Sequence, residues 1–196
     1  MNENLKVSIV ILAAGASNRM GRPKQLLPWK DSHLLNHVIK TAKCSNAENV
    51  IIVLGANYKE ISRSIADKEV TILHNQDWAK GMGTSIMKAV NALITQKDND
   101  AILIMLADQP FVTTSDLNKL IDTFSKHNMI IASTYKKMRF GVPAVFSRVY
   151  YNDLLQLDKD EGAKSVLKKN EPNIKKITLE NTIVDIDTES DYKAFY

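Results

Sequence analysis

Leu12-Ala-Ala-Gly-Ala-Ser-Asn-Arg-Met-Gly-Arg-Pro-Lys24 continues Val7-Ser-Ile-Val-Ile-Leu-Ala13, and the junction between the two decides the fold. An unbroken β-branched run without polar alternation reads as a strand buried on both faces, hence a central one. The stretch that follows is made of small residues and bases. Small residues let backbone N–H groups face an anion closely, and Arg19 and Lys24 bring positive charge to it, so the junction reads as a phosphate cradle. It is not a P-loop, because five residues rather than four separate Gly15 from Gly21 and Arg22 follows where Lys-Ser/Thr is required. Nor does it have the Gly-x-Gly-x-x-Gly order of a dinucleotide-binding turn.

Outward from this junction, strand-like and helix-like periods alternate. Leu34 to Lys43 has helical spacing and Asn49 to Leu54 is a second buried strand closed by Gly55. Tyr58 to Ala66 reads as helix, Val70 to Leu73 as extended, Thr84 to Thr95 as helix and Ala101 to Ala107 as a third long strand. Ser115 to Phe124 (helix) and Met129 to Thr134 (extended) follow; beyond 135 the pattern is less regular, with helices near Val149 to Leu157 and Glu189 to Phe195. Such alternation predicts an α/β chain of three layers, a mostly parallel sheet between helices, with ligands beyond the carboxyl ends of the strands. No Pro, Gly or Ser linker divides the chain, so 1–196 is read as a single domain. Six of the seven glycines fall in four segments, Gly15/Gly21, Gly81/Gly83, Gly141 and Gly162, which are expected to converge on one cleft.

Composition narrows the partners. Lys and Arg total 26 against 22 Asp and Glu, a net charge of +4, and the bases are interspersed with acids rather than gathered in a stripe. No nucleic-acid partner is expected. The single cysteine, Cys44, allows no intrachain disulfide and no cysteine-built zinc site. The Val7–Ala14 run is too short to span a bilayer, and Met1 to Lys6 carries one acid and one base, unlike a secretory leader. The expectation is a cytoplasmic protein with no membrane partner.

Leu12, Ala13, Gly15, Ser17, Arg19, Met20, Gly21 and Lys24 reproduce the pattern Leu-Ala-x-Gly-x-Ser-x-Arg-Met-Gly-x-x-Lys, and through it the chain resembles the MobA-like NTP transferases. That resemblance implies a nucleotide-diphospho-sugar transferase-like, Rossmann-like fold. It also implies that Arg19 and Lys24 hold a triphosphate and offset charge developing at its α-phosphate, which agrees with the electrostatic nature of phosphoryl-type transfer. His74-Asn-Gln-Asp-Trp-Ala-Lys-Gly-Met-Gly-Thr-Ser85 resembles the molybdenum cofactor cytidylyltransferase subgroup at Asn75, Trp78, Gly81, Met82 and Ser85. Thr84 or Ser85 is also a ready helix cap.

Asp108, in Ile102-Leu-Ile-Met-Leu-Ala-Asp-Gln-Pro110, ends a strand otherwise free of charge. Such an acid is frequently a turn residue, but Asp-x-Pro at this place resembles the family's magnesium site. The second carboxylate falls in Val184-Asp-Ile-Asp-Thr-Glu-Ser-Asp-Tyr192, which resembles the family's closing Asp-Ile-Asp-Thr-Pro-Glu-Asp-Tyr without its proline. Asp185 and Asp187 point the same way on an extended segment, and Asp187 is preferred; Asp187 or Thr188 also suits the start of the last helix.

The resemblance therefore implies catalysis by Arg19, Lys24 and Asp108, with Mg2+ on Asp108 and Asp187. Nucleotide contacts are implied at Leu12, Ala13, Ala14 and Gly15, and further ones at Lys24, Gly81, Ser85 and Asp108. The implied reaction moves CMP from CTP to the phosphate of molybdenum-loaded molybdopterin, with delivery of the product to a molybdenum hydroxylase. Ala14 favours cytidylyl over guanylyl transfer, because guanylyl-transferring relatives carry a second glycine there. Gly141-Val-Pro143, Phe146 and Asp160-Glu-Gly-Ala-Lys164 fall on the acceptor side, with Lys159 and Lys164 in place of the subgroup's Gly and Arg. The rival readings are a sugar-phosphate or other phosphorylated acceptor, and a non-catalytic nucleotide or pterin carrier. His33, His37 and Trp29 are read as packing or surface residues, and Cys44 is given no nucleophilic role.

Overall fold

The structure is a computed structural model that describes residues 5–127, 129–134, 140–179 and 184–196; most of the Met1 to Lys6 stretch and the first part of the Tyr135 to Phe146 segment lie outside the described residues. β1 (Val7–Ala13) is followed by the small hairpin β2 (Pro28–Trp29) and β3 (Ser32–His33), α1 (Leu34–Lys43), β4 (Asn49–Leu54), α2 (Tyr58–Ser64) and β5 (Thr71–His74). Then come α3 (Met82–Ile94), β6 (Ala101–Leu106), α4 (Thr114–His127), β7 (Ile130–Thr134) and β8 (Phe140–Ser147). The chain closes with α5 (Tyr151–Leu155), α6 (Ala163–Lys169), β9 (Ile174–Thr178) and α7 (Glu189–Phe195).

Seven strands form one sheet in the order β5-β4-β1-β6-β8-β7-β9. β8 pairs antiparallel with both β6 and β7, and every other pairing in the sheet is parallel, so the sheet is mostly parallel as expected. β1 lies between β4 and β6 and is buried along its whole length. Strand alternation sends Val7, Ile9, Ile11 and Ala13 to one face, against Val38 and Ile39 of α1 and Leu120 and Phe124 of α4. Val10 and Leu12 face the other layer, with Ile86, Val90 and Leu93 of α3, Leu154 of α5 and Val166 of α6. Two apolar layers thus clamp the strand whose end carries the glycine loop. Among the described residues no helix is long and apolar enough to cross a membrane.

Element boundaries differ modestly from the sequence reading. α3 begins at Met82 rather than Thr84, because Gly81, at φ 116° and ψ 172°, turns the chain directly into the helix. Gly81 is therefore the cap residue, and neither Thr84 nor Ser85 caps α3. The helix expected over Val149 to Leu157 is a 3-10 turn at Arg148–Tyr150 followed by α5.

The end of the sheet opposite the glycine loop is closed by polar contacts. The Arg148 guanidinium donates to the carbonyl of Ile94 (2.6 Å), the last residue of α3, and to those of Gln96 (2.8 Å) and Asn99 (2.8 Å) in the turn that follows. Charge-assisted bonds to a helix-terminal carbonyl and to two carbonyls of the following turn make this a strong clamp. Arg148→Ala is expected to cost about 2–3 kcal/mol, read as a lowered urea midpoint with an unchanged slope.

Candidate active site

β1 stops at Ala13 and its loop is wedged between the ends of its neighbours. The Ala107 N–H donates to the Leu12 carbonyl (3.1 Å) and the Ala56 N–H to the Ala14 carbonyl (3.0 Å). Gly55, which the sequence reading left outside its cleft map, permits this. A Cβ there would lie 2.4 Å from Trp78 Cβ and 2.8 Å from the Ala14 oxygen. Further on, Ser17 takes left-handed angles (φ 57°, ψ 38°), and its hydroxyl accepts from the Lys24 N–H (3.2 Å). Gln25 was not singled out from sequence, yet its buried side-chain amide donates to the carbonyls of Ala13 (2.9 Å) and Gly15 (3.0 Å). It fixes the arch of the loop from inside.

This arch places Lys24 at a cluster of charge. Lys24 Nζ contacts Asp108 Oδ2 at 2.5 Å, Asp187 Oδ1 at 3.0 Å and the Ile186 carbonyl at 3.4 Å. The Ile186 N–H donates to the Asp108 carbonyl (2.9 Å), so the chain near the last helix is bonded to the loop after β6. Arg19 reaches the other Asp187 oxygen at 3.1 Å from a largely exposed position, its side chain 69% accessible against 17% for Lys24. Burial opposes the charge on Lys24, but the contacts with Asp108 and Asp187 outweigh it and hold the ammonium above the usual lysine range. Burial pushes the Asp108 carboxyl above its ordinary value; Lys24 pulls the other way, and Asp185 and Asp187 add to the rise. Asp108 Oδ1 is buried without a hydrogen-bond partner among the described residues.

The two candidate carboxylates of the last segment are separated by their neighbours. Asp185 accepts from Gln109 Nε2 at 2.9 Å, whereas Asp187 faces Lys24 and Arg19. Thr188, not Asp187, caps α7: its hydroxyl accepts from the Asp191 N–H (3.1 Å), and the Asp191 carboxylate accepts from the N–H of Thr188 (2.8 Å) and of Asp187 (3.1 Å). Asp191, quoted in the sequence reading but given no role there, thus fixes the backbone that presents Asp187.

The Gly81–Ser85 segment meets the 158–162 loop directly. Gly83 N–H donates to the Lys159 carbonyl at 2.9 Å, so this donor at the start of α3 is already engaged. Asn75 Nδ2 donates to the hydroxyls of Thr84 (2.8 Å) and Ser85 (2.9 Å), both buried. Lys159 joins Lys80 and Lys88 around a polar groove of about 310 Å³ beside Asn75 and Thr84. Gly162 adjoins Met82, as a Cβ there would lie 3.1 Å from its sulfur, whereas Gly141 pairs with Ser133 within the sheet.

Trp29 is buried in a cluster with Met20, Leu27, Leu34, Ile186 and Tyr192, which packs α7 against the loop. Cys44 is exposed at the end of α1. Among the described residues no group of three or more His, Cys, Asp or Glu is placed to hold a metal ion. His37 Nε2 donates to the Pro110 carbonyl (3.0 Å), and burial lowers its pKa despite that bond. A lowered folded value means that the unfolded chain takes up the proton first. Stability is therefore full above about pH 6.5 and falls as pH drops from there toward the folded value. His37→Gln is expected to flatten this slope in urea titrations between about pH 5 and 7.

Comparison with known proteins bears on the family and the fold. The chain is 35% identical over 116 residues to nicotine blue oxidoreductase of Paenarthrobacter nicotinovorans, covering 59% of this chain and 55% of the relative. It is 29% identical over 150 residues to the bifunctional protein GlmU of Buchnera aphidicola subsp. Schizaphis graminum, covering 73% of this chain and 31% of the relative. The chain thus spans about half of the first relative's length and about a third of the second's. The crystal structure of Rv0371c from Mycobacterium tuberculosis H37Rv superposes with a TM-score of 0.87 at 27% identity, covering 96% of both chains. A complex of that protein with manganese gives 0.82 at 25% identity, covering 96% of this chain and 97% of the other. The MobA-like NTP transferase domain matches residues 9–174, most of the chain, and the chain belongs to that family.

Proposed function

We propose that the protein is a cytoplasmic, magnesium-dependent cytidylyltransferase that joins CMP from CTP to molybdenum-loaded molybdopterin, releasing pyrophosphate. The observation that carries this reading is the placement of Lys24 against Asp108 and Asp187 at the mouth of the Ala13–Gly21 arch. A Cβ added at Gly15 would meet nothing within 4 Å, so no protein contact requires a glycine there, and close approach of a ligand to the backbone would. Asp108 and Asp187 fit a divalent ion: both offer hard oxygen donors, and the partnerless Asp108 Oδ1 has spare acceptor capacity. When bound, the ion supplies charge neutralisation at the phosphate oxygens. The relative with manganese is consistent with such a site.

An oxygen of the acceptor phosphate attacks the α-phosphorus of CTP in line. The bond from that phosphorus to the bridging oxygen breaks, and its electron pair leaves with pyrophosphate. Lys24 and Arg19 offset the charge gathered by the leaving group, and backbone N–H groups of the arch orient the nucleotide. Ala14 in the arch supports CTP over GTP. Lys88 and Lys159, around the groove beside α3 in which Lys80 is paired with Asp77 at 2.6 Å, suit a phosphorylated acceptor. They suit a sugar phosphate equally, which makes that the second reading. The product is suited to delivery to a molybdenum hydroxylase.

Pyrophosphate release from CTP, GTP, UTP and ATP, with molybdenum-loaded molybdopterin or a sugar phosphate, tests these readings. Turnover that needs CTP and the pterin, and that falls at least about 10³-fold in Asp108→Ala, is the expected result. Turnover only with the sugar phosphate would replace the acceptor. Nucleotide binding without turnover on any acceptor would favour a carrier.

A further inference from the structure

The Lys24 ammonium lies between the two carboxylates that Proposed function assigns to the metal, and this inference rests on that assignment. We infer that Lys24 is a built-in competitor for the divalent ion: it neutralises Asp108 and Asp187 in the nucleotide-free protein, and a triphosphate must draw it away before the ion binds well. Lysine and nucleotide thereby make metal binding conditional on substrate.

Three observations carry it. The ammonium spans one oxygen of each carboxylate, at 2.5 and 3.0 Å, and is largely buried, so it is a resident of the cluster rather than a surface charge passing over it. The described residues contain no group of three or more His, Cys, Asp or Glu able to hold a metal. Magnesium sheds water reluctantly and favours sites completed by phosphate oxygens, so the bare protein is a weak host against a lysine already in contact. Finally, the Lys24 backbone N–H is held by Ser17 within the cradle itself, so the side chain can turn from carboxylates to phosphates by rotating about its own bonds. The anion that completes the metal's shell is the one that attracts its competitor.

Mn2+ binding followed by electron paramagnetic resonance, without nucleotide, gives a test independent of turnover. Lys24→Met is expected to bind Mn2+ at least about tenfold more tightly than the wild type, within the usual span of site-to-site coupling. The tightening that CTP produces in the wild type should shrink correspondingly in the variant, because the competitor is already gone. Arg19→Met removes the same charge from beside Asp187, but from an exposed position, and is expected to tighten binding less than about threefold.

Equal or weaker Mn2+ binding by Lys24→Met overturns the inference, as does an equal gain from Arg19→Met, which would mark a general charge effect. Asp108→Asn separates the two levels of argument. If it binds Mn2+ as the wild type does, the metal-site reading itself fails; if it loses the ion while Lys24→Met gains nothing, only the competition fails. Should Lys24→Met not fold, wild type labelled with 13C at the lysine ε-carbon serves instead. The Lys24 signal should move saturably when CTP and Mg2+ are added together and far less with Mg2+ alone. A signal unmoved by both, or moved equally by Mg2+ alone, overturns the idea.

Discussion

Lys24→Ala is expected to lower kcat/KM for pyrophosphate release by about 10³-fold or more while leaving the fold intact by circular dichroism. Removing a single preorganised donor from developing charge costs roughly 10²–10³ in rate, and Lys24 has a second duty. Its ammonium keeps Asp108 and Asp187 together, and without it two carboxylates face each other beside Asp185. Burial already raises the Asp108 pKa and Lys24 opposes that rise, so the variant's Asp108 should hold its proton to higher pH. The residual activity should therefore have its acid limb shifted upward, a signature that simple loss of a phosphate contact would not produce. Lys24→Arg should recover little, because a planar fork does not replace a compact ammonium between two carboxylates. Arg19→Ala should cost less, about 10–10²-fold, since its exposed head group is screened and reaches Asp187 from the solvent side. An Arg19 effect equal to that of Lys24 would overturn this ranking of the two bases.

The parts legible from sequence were those fixed by burial alone. Val7 to Ala13 contains no solvent-facing alternation because helices cover both of its faces, and that fact is written into the run itself. Strand direction is a different matter. The apolar stretch of β8 reads alike in either direction, and only its pairing with β6 and β7 makes it antiparallel. The site divides in the same way. Arg19, Lys24 and Asp108 carry charge in a glycine-rich or apolar setting, but the roles expected of them and of Asp187 came from the family resemblance, not from that setting. Gln25 bonds to backbone carbonyls, which every residue possesses, and therefore leaves no pattern to find. Gly55 was visible only as a strand end, since its close neighbour Trp78 comes from a distant turn. Spacing could not separate Asp185 from Asp187, because Gln109 and Lys24, on other elements, decide which carboxylate joins the charged cluster.

Gly83→Ala separates local helix propensity from packing, and packing is expected to win. Gly83 lies in the first turn of α3, where alanine would favour the helix by about 0.5–1 kcal/mol over glycine. An added Cβ, however, would lie 2.3 Å from the Asp158 carbonyl oxygen and 3.1 Å from those of Lys159 and Glu161. These are backbone atoms, so relief requires the 158–161 loop to move and strains the bond from Gly83 N–H to Lys159. Overpacking of this kind costs about 1–3 kcal/mol. The net loss, centred on about 1 kcal/mol, would lower the melting temperature by about 2–4 °C in a domain of this size. The displaced loop carries Lys159, which lines the groove beside Asn75 and Thr84, so KM for the acceptor should rise more than KM for CTP. Gly15→Ala supplies the contrast. Its Cβ would meet no protein atom within 4 Å, so the melting temperature should hold within about 2 °C while KM for CTP rises about tenfold. A Gly83→Ala protein as stable as the wild type would mean that the loop yields freely and does not hold the start of α3. Unchanged KM for CTP in Gly15→Ala would mean that the nucleotide does not approach the arch at that residue.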